Sequence, residues 1–234
     1  MKRTVAILGV LGMLLLAGCT GSVISEEALS AQETYEWNTQ ATVTIDAGGG
    51  SYEAVYHVRN RSTIELYRPG QLGGEQPVPI RAVKFRYPDG RIVNSSAIEV
   101  TEEGSRTVVR LPQATGSFAY SVETTPGGLF VPVVMNGSYE VILPPGARVA
   151  FPIFGSVDPG GYEKAVVDDR VHLHWTTIDA SAIAISYYLQ RDLYLFGGLL
   201  ALLGLIAGGG IIYFRFQIRN LEEAREAVGL DVEE

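Results

Sequence analysis

An uncharged apolar run near the C-terminus restricts the fold of this chain more than any other feature. Residues 193–214 contain no charged side chain over 22 positions. A helix rises about 1.5 Å per residue, so the run would measure roughly 33 Å, enough to cross the roughly 30 Å hydrocarbon core of a bilayer. Tyrosine and phenylalanine residues near both ends match the aromatic belts of membrane helices. We therefore predict a transmembrane helix at residues 193–214.

A second apolar segment lies at the start of the chain. Two basic residues precede an uncharged stretch, residues 4–18. As a helix this stretch would measure only about 20 Å, which is too short to span a bilayer and is typical of an export signal. It ends in Leu16-Ala17-Gly18-Cys19, which resembles the lipobox of bacterial and archaeal lipoproteins. We predict a signal peptide at residues 1–18 and a lipid on Cys19, the only cysteine of the chain.

Basic residues after the C-terminal run indicate its orientation. Arg215 and Arg219 follow within the short distance at which positive charge favours the cytoplasmic side. The export signal independently places the chain after Cys19 outside the cell, so the two arguments agree. We predict a single-pass protein of the cell membrane with an extracellular part before the helix and a cytoplasmic tail at residues 215–234. A lipid and a helix would then anchor the extracellular part at both ends.

The charge balance excludes several classes of partner and site. The chain has 18 basic and 26 acidic residues and a net charge of −8, which opposes binding to a nucleic-acid backbone. A single cysteine excludes a disulfide framework and a multi-thiolate metal site. Only three of the basic residues are lysines, and scarce lysine with excess acid suits a protein exposed to high salt. We predict no nucleic-acid partner and no cofactor.

The extracellular part has the pattern of a mainly β protein. Residues 19–40 are polar and acidic, and we interpret them as the lipidated N-terminus and a spacer. Beyond them, short β-branched and aromatic runs alternate with turn residues, and Tyr52, Tyr56 and Val58 fall on one face of a strand. Runs of this length and spacing are typical of a β-sandwich. We predict a β-sandwich ectodomain at residues 41–190.

The number of β modules stays open at this point. The turn sequence Thr125-Pro126-Gly127-Gly128 could divide the ectodomain into two small modules near residues 125–136. A single continuous sandwich is the alternative, because proline and glycine also form ordinary hairpin loops.

Three Asn-X-Ser sequons lie in the exported part, at Asn60, Asn94 and Asn136. All three occur at predicted strand ends or turns, where an asparagine of an exported protein can accept a glycan. We predict that the protein is a glycoprotein at one or more of these positions. The alternative is that asparagine, glycine and serine serve there only as turn residues.

The nearest approach to a metal-binding pattern is the pair His172 and His174. On a strand both side chains would project from one face, but no third ligand is identifiable and His57 is remote in sequence. No Gly-X-Ser-X-Gly elbow, phosphate-binding loop or His-Glu-X-X-His helix occurs in the sequence. We therefore predict no metal site and no catalytic residue. The ectodomain is predicted to be a non-enzymatic scaffold or binding module.

The predicted membrane helix suggests an alternative function. Gly204 and Gly208 form a pair of small residues one turn apart, which allows two helices to approach closely. The chain could then form a homo-oligomer or serve as an accessory subunit of a membrane complex. The sequence does not identify the protein partner.

Several segments resemble a known family. They are Pro159-Gly160-Gly161-Tyr162-Glu163, residues 168–175, residues 187–198 and Val228-Gly229-Leu230-Asp231, together with the lipobox. Over nearly its whole length the chain is similar to a haloarchaeal membrane-protein family known as domain of unknown function 5803. The resemblance implies a halophilic archaeal source and a location in the cell envelope. It implies no activity and no catalytic residues, because the family itself is uncharacterised.

Overall fold

A computed structural model describes residues 24–70, 73–149 and 154–227, with side chains up to residue 221. The predicted signal peptide at residues 1–18 and Cys19 lie outside the described residues, as does the end of the tail, residues 228–234. The described chain is mainly β, with several sheets and one long C-terminal helix, which confirms the predicted fold class.

The described residues form two α-helices, one short 3-10 helix and seventeen strands. The helices are α1 (Glu26–Leu29) and α2 (Gln190–Ala227), and the 3-10 helix spans Ser95–Ala97. The strands are β1 (Val43–Ala47), β2 (Ser51–Val58), β3 (Thr63–Pro69), β4 (Glu75–Pro77), β5 (Ile80–Arg86), β6 (Ile92–Asn94), β7 (Glu99–Glu103), β8 (Arg106–Arg110), β9 (Gly116–Glu123), β10 (Gly128–Pro132), β11 (Tyr139–Ile142), β12 (Ala147–Arg148), β13 (Ser156–Asp158), β14 (Glu163–Val167), β15 (Arg170–Trp175), β16 (Ala182–Ser186) and β17 (Tyr188–Leu189).

Eight strands form the central sheet in the order β14-β15-β11-β1-β2-β9-β5-β6. Its neighbouring strands are antiparallel except for β1 and β11, which run parallel with Val43 opposite Tyr139. Strand β1 precedes residues 125–136 in the chain and β11 follows them, so this pair hydrogen-bonds the two parts of the chain to each other. The central sheet is therefore continuous across the turn that could have separated two modules. Three smaller sheets complete the fold, in the orders β4-β3-β8-β7, β10-β16-β13 and β12-β17.

The main core lies between the central sheet and the four-stranded sheet. Tyr56 and Tyr120 of the central sheet share one hydrophobic cluster with Ile64 of β3 and Val109 of β8. The two tyrosine rings stack with centroids 5.7 Å apart, and their hydroxyl oxygens lie 3.1 Å apart, so each buried hydroxyl has a partner. Burial raises the pKa of both phenols. Two sheets packed over a common core correspond to the predicted sandwich.

The N-terminal segment, residues 24–40, packs against both parts of the fold. Its first residues, Ile24 and Leu29, belong to the main core, and the part around Tyr35 covers the other face of the central sheet. Tyr35 of this segment is buried in a small cluster with Val55, Ala82 and Ala119 of the sheet. The segment was interpreted from the sequence as a spacer, whereas its described residues belong to the folded β domain. An aromatic side chain within acidic surroundings provides the apolar surface that this packing needs.

A β-bulge in β5 fixes the N-terminal segment to the sheet. The pairing of β5 with β9 shifts register between Arg81 and Lys84, and Ala82 has a φ of 51°. A bulge leaves its extra residue unpaired in the ladder. The Tyr35 hydroxyl donates a buried hydrogen bond of 2.8 Å to the Ala82 carbonyl. Burial raises the pKa of the Tyr35 phenol, so the neutral form that donates this bond is favoured.

Helix α2 follows β17 without a linker. Leu189 of β17 pairs with Ala147 of β12, and the Gln190 amide donates a 3.0 Å hydrogen bond to the Gly146 carbonyl. The Gly146 amide in turn donates to the carbonyl of Asp169, next to the start of β15. The first turn of α2 is therefore held by the backbone of the β domain.

The two ends of the central sheet are named here by their relation to α2. The helix end contains Ala47, the last residue of β1, and Arg170, the first residue of β15. The far end contains Val43 and Val58, at the opposite ends of β1 and β2. Because β2 has eight residues, the far end lies about 25 Å from the helix end along the strand.

Residues Gln190–Leu221 of α2 are long and apolar enough to cross a membrane, by length and composition. This is the one such helix in the described part of the chain, and none of its most apolar window is buried. The helix therefore fits the predicted span at residues 193–214. It continues as a helix to Ala227, within the predicted tail.

Replacing Tyr35 with phenylalanine should destabilise the β domain. The change leaves the Ala82 carbonyl buried without its partner, which typically costs about 1–3 kcal/mol. Tyr67→Phe is the matched control, because the Tyr67 hydroxyl donates a comparable 2.9 Å bond at the surface. Denaturant unfolding of both variants measures the difference. Equal free energies of unfolding for Tyr35→Phe and wild type would show that the N-terminal segment is not held by this bond.

Candidate functional site

The histidine pair singled out in the sequence lies on β15. His172 and His174 are half-buried and alternate with buried residues, so both project from one face of the central sheet. The Nδ1 atom of His172 lies 2.9 Å from a carboxylate oxygen of Glu140 on β11. Within the described ranges, no group of three or more His, Cys, Asp or Glu side chains is placed to hold a metal ion. His57 lies on β2, three strands away from the pair.

The three sequon asparagines are exposed. Asn60 has a φ of 55° in the turn between β2 and β3, and Asn136 lies in the loop before β11. Asn94 caps the 3-10 helix, and its side-chain oxygen accepts a 2.8 Å hydrogen bond from the Ser96 hydroxyl. Each position is open to modification, and glycosylation stays a prediction.

The glycine pair of α2 is open to a neighbour. A Cβ added at Gly204 or Gly208 would meet no atom within 4 Å apart from the helix itself and adjacent residues. Helix–helix association through this pair stays a prediction.

A cleft of about 610 Å³ lies at the far end of the central sheet. This volume is in the range of roughly 300–1,000 Å³ that is usual for small-molecule sites. The N-terminal segment, β2, β5, β9 and the loop before β11 form its walls. Side chains that define its chemistry are Thr39, His57, Arg59, Arg86, Ser117 and Asn136. Among the described residues that line this far-end cleft, none is acidic.

His57 occupies the base of the far-end cleft and joins two of its walls. Its Nδ1 atom lies 2.9 Å from the Ser117 hydroxyl of β9, and its Nε2 atom lies 2.9 Å from the Thr39 hydroxyl. The Thr39 carbonyl is 3.3 Å from Nε2 and can only accept, so Nε2 carries the proton of the neutral ring. Nδ1 then accepts from Ser117.

Burial lowers the pKa of His57, and the positive charges of Arg86 and Arg59 lower it further. The hydrogen bond to the Thr39 backbone acts in the opposite direction. The neutral imidazole is therefore favoured at neutral pH. The positive charge of the cleft comes from its arginines.

Two glycines allow the walls of the far-end cleft to approach each other. Gly116 has a φ of 155°, and a Cβ there would lie 2.4 Å from the Phe85 ring. Gly137, in the loop next to Asn136, has a φ of 140°, and its Cβ would lie 2.5 Å from the Thr42 hydroxyl oxygen. Side chains at these positions would force the strands and the loop apart, so the cleft depends on both glycines.

The Ser117–His57 contact resembles the nucleophile and base of a hydrolase, but its surroundings do not. A hydrolytic triad has a carboxylate behind the imidazole. Here the second ring nitrogen meets the hydroxyl and carbonyl of Thr39 instead. Ser117 is also nearly buried, with 9% of its surface exposed. The geometry suits binding by charge and hydrogen bonds better than nucleophilic attack.

The sequence analysis did not single out the far-end cleft. Arg59 and Arg86 are distant in sequence and meet only because β9 lies between β2 and β5. The available signal is the alternation of β2, which places His57 on the face opposite the buried Tyr56 and Val58.

A protein-family model matches residues 37–233, and its description is "Family of unknown function (DUF5803)". The chain belongs to this family. The DUF5803 match confirms the family that the sequence resembles, and it includes the central sheet, the side chains named for the far-end cleft and α2. No curated protein matches the chain.

The stability of this DUF5803 member should fall as the pH drops below about 6.5, the ordinary pKa of histidine in an unfolded chain. The pKa of His57 is lowered in the folded state, so the unfolded chain takes up a proton more readily. The stabilisation that neutral His57 contributes is therefore complete above the unfolded pKa and is lost as the pH falls to the lower pKa of the folded state. Replacing His57 with glutamine should reduce this pH dependence. The measurement is the denaturation midpoint between pH 7.5 and pH 5.

His174→Gln is the matched control, because the His174 ring makes no hydrogen bond to another described residue. An unchanged pH dependence in His57→Gln, with the same curve as His174→Gln, would contradict the assigned role of His57.

Proposed function

We propose that the protein is a lipoprotein of the cell envelope whose β ectodomain acts outside the membrane as a non-enzymatic binding module or scaffold. The observation that carries this proposal is the direct connection of the ectodomain to α2 through β17 and Gln190. A sheet held in this way keeps its far end away from the membrane surface. The far-end cleft would then face the cell exterior.

The path of the N-terminal segment supports a lipid anchor at Cys19. Tyr35 contacts Ala82 in the middle of β5. Asn38 accepts a hydrogen bond from Arg86, the last residue of β5, at the far end of the sheet. The chain therefore runs toward the far end, and earlier residues lie on the side of the helix end. Cys19 precedes Ile24 by five residues, which span at most about 17 Å. A lipid there would reach the same membrane as α2.

Several features support the orientation and the setting of the protein. The predicted signal peptide at residues 1–18 would export the ectodomain, and Arg215 and Arg219 would keep the tail in the cytoplasm. The excess of acidic residues and the scarcity of lysine suit the high salt of a halophilic archaeal envelope.

The described partners of His57 are the hydroxyl groups of Thr39 and Ser117 and the Thr39 carbonyl, and these neutral groups support a role in holding the cleft together. Binding modules present loops and clefts on a rigid β scaffold, and the far-end cleft is built in this way.

Protease added to intact cells should digest the ectodomain and leave a tag placed after Glu234 uncleaved, because the tail would be cytoplasmic. Replacing Cys19 with serine should remove the lipid and leave the signal uncleaved, so the protein would migrate more slowly on a denaturing gel. Immunoblotting of the tag measures both effects.

Ser25→Ala is the control for the cysteine variant, because it changes a nearby exposed residue outside the lipobox. Loss of the tag from intact cells would reverse the proposed topology. Unchanged migration of Cys19→Ser would contradict the lipid anchor while leaving the topology intact.

The alternative function is that of an accessory subunit assembled through the glycine-rich membrane helix. It is favoured by the open surface at Gly204 and Gly208. Crosslinking in cells separates the two functions when wild type is compared with a Gly204→Leu, Gly208→Leu variant. Crosslinked partners that persist in the variant indicate the ectodomain, and partners lost only in the variant indicate the helix. Ile211→Leu is the control, because it keeps the apolar character and does not touch the glycine pair.

A further inference from the structure

We propose that the far-end cleft binds a small ligand through a carboxylate, sulfate or phosphate group held between Arg59 and Arg86. This ligand site would be the binding site of the proposed binding module, and only its biological setting rests on that proposed function. The binding itself can be measured on solubilised protein, whatever the orientation of the chain in a membrane.

The distribution of ion pairs is the first observation that points to an anionic ligand. Seven described arginines contact a carboxylate within 4.0 Å, among them Arg81, which pairs with Glu123 near the helix end. Within the described part of residues 24–189, the arginines without an ion pair are Arg59, Arg61, Arg68 and Arg86. Three of these four lie at the far end of the central sheet. Unpaired positive charge has therefore collected at one place in a protein of net charge −8.

The neighbours of these arginines leave their charge available. Arg86 donates a 3.2 Å hydrogen bond to the neutral side chain of Asn38, and Arg61 donates to the Val134 carbonyl. Arg59 is exposed and makes no hydrogen bond to another described residue. Two acidic residues lie near the cleft in sequence. Asp89 is 4.0 Å from Arg91, and a carboxylate oxygen of Glu36 accepts a 2.9 Å hydrogen bond from the Asn38 amide and forms no ion pair with a described arginine.

Strand register brings the two cleft arginines to one place. Ser117 of β9 pairs with His57 on one side and with Arg86 on the other. Neighbouring strands lie about 4.8 Å apart, so His57 and Arg86 are separated by about 10 Å across β9. Arg59 follows His57 by two residues and lines the same cleft. The two arginines therefore line one cleft, Arg59 from the β2 side of Ser117 and Arg86 from the β5 side.

The remaining lining suits a ligand larger than a bare ion. Hydroxyl and amide groups of Thr39, Thr42, Thr115 and Asn136 surround the arginines. These groups can hydrogen-bond a polar organic molecule, while each guanidinium offers paired N–H donors to an oxyanion. The neutral His57 fixes the walls and adds no competing acceptor at Nε2, which carries its proton.

The test is a binding titration of the full chain in detergent micelles. Sodium phosphate, sulfate, acetate and glucuronate replace chloride at constant ionic strength, and calorimetry measures affinity while thermal unfolding measures the rise in Tm. We expect saturable binding of one oxyanion per chain, with a higher Tm than in chloride. Arg59→Gln and Arg86→Gln should each weaken binding at least about tenfold, and the double variant should show no saturable binding.

Arg81→Gln is the control, because it removes one positive charge at the other end of β5 and changes the net charge equally. It should bind within about twofold of wild type. Because Arg59 has no partner to lose, Arg59→Gln should unfold at the wild-type Tm in chloride. The proposal is overturned if every oxyanion binds no better than chloride, or if the double variant binds as wild type does.

The four anions also distinguish the source of the charged group. Tighter binding of glucuronate than of acetate identifies a carboxylate carried on a sugar. Tighter binding of phosphate or sulfate identifies a tetrahedral group. A failure of all four would refute this proposal and leave the topology and the lipid anchor to be decided by the protease and Cys19 experiments.

Discussion

Strands β2 and β9 pair over eight positions at the centre of the fold, and both faces of this pair need cover. One face carries Tyr56 and Tyr120 into the core formed with the four-stranded sheet. The other carries small residues such as Ala119, which are too short to exclude water from each other. The N-terminal segment supplies the missing surface through Tyr35. Burial of apolar area on both faces thus explains why an acidic segment belongs to the folded β domain.

The same pairing creates the far-end cleft. Gly116 is the first residue of β9, at a position where a side chain would collide with Phe85. Its lack of a side chain lets the strands approach each other beside Ser117 and His57. The imidazole is held neutral by burial and by nearby positive charge. The hydrogen bonds of His57 to Thr39 and Ser117 therefore position the walls, and the arginines at the rim provide the charge. In such a site the hydrogen bonds of His57 provide rigidity, and Arg59 and Arg86 provide the charge that attracts a ligand.

Sequence patterns predicted the elements whose signal is local. The alternation of Tyr52, Tyr56 and Val58 indicated a strand with one buried face, and β2 has this pattern. Features that depend on distant pairings were not accessible. The parallel pairing of Val43 with Tyr139 joins strands from before and after residues 125–136, and no local signal indicates it. The segment whose acidic character favoured a spacer also contains apolar residues, among them Leu29, Tyr35 and Trp37. The partner of the Tyr35 hydroxyl is the carbonyl of a bulge that only the folded sheet creates.

The N-terminal segment connects the region nearest the predicted lipid to the far-end cleft, because it runs from Ile24 to Thr39. Between these points the Tyr35 hydroxyl is bonded to the bulge of β5, and the ring is buried against the sheet. Thermal motion of an anchor before Ile24 would have to break this contact before it could move Thr39. Contacts within the folded part of the chain therefore hold Thr39 beside His57, while the central sheet positions His57 and Arg86.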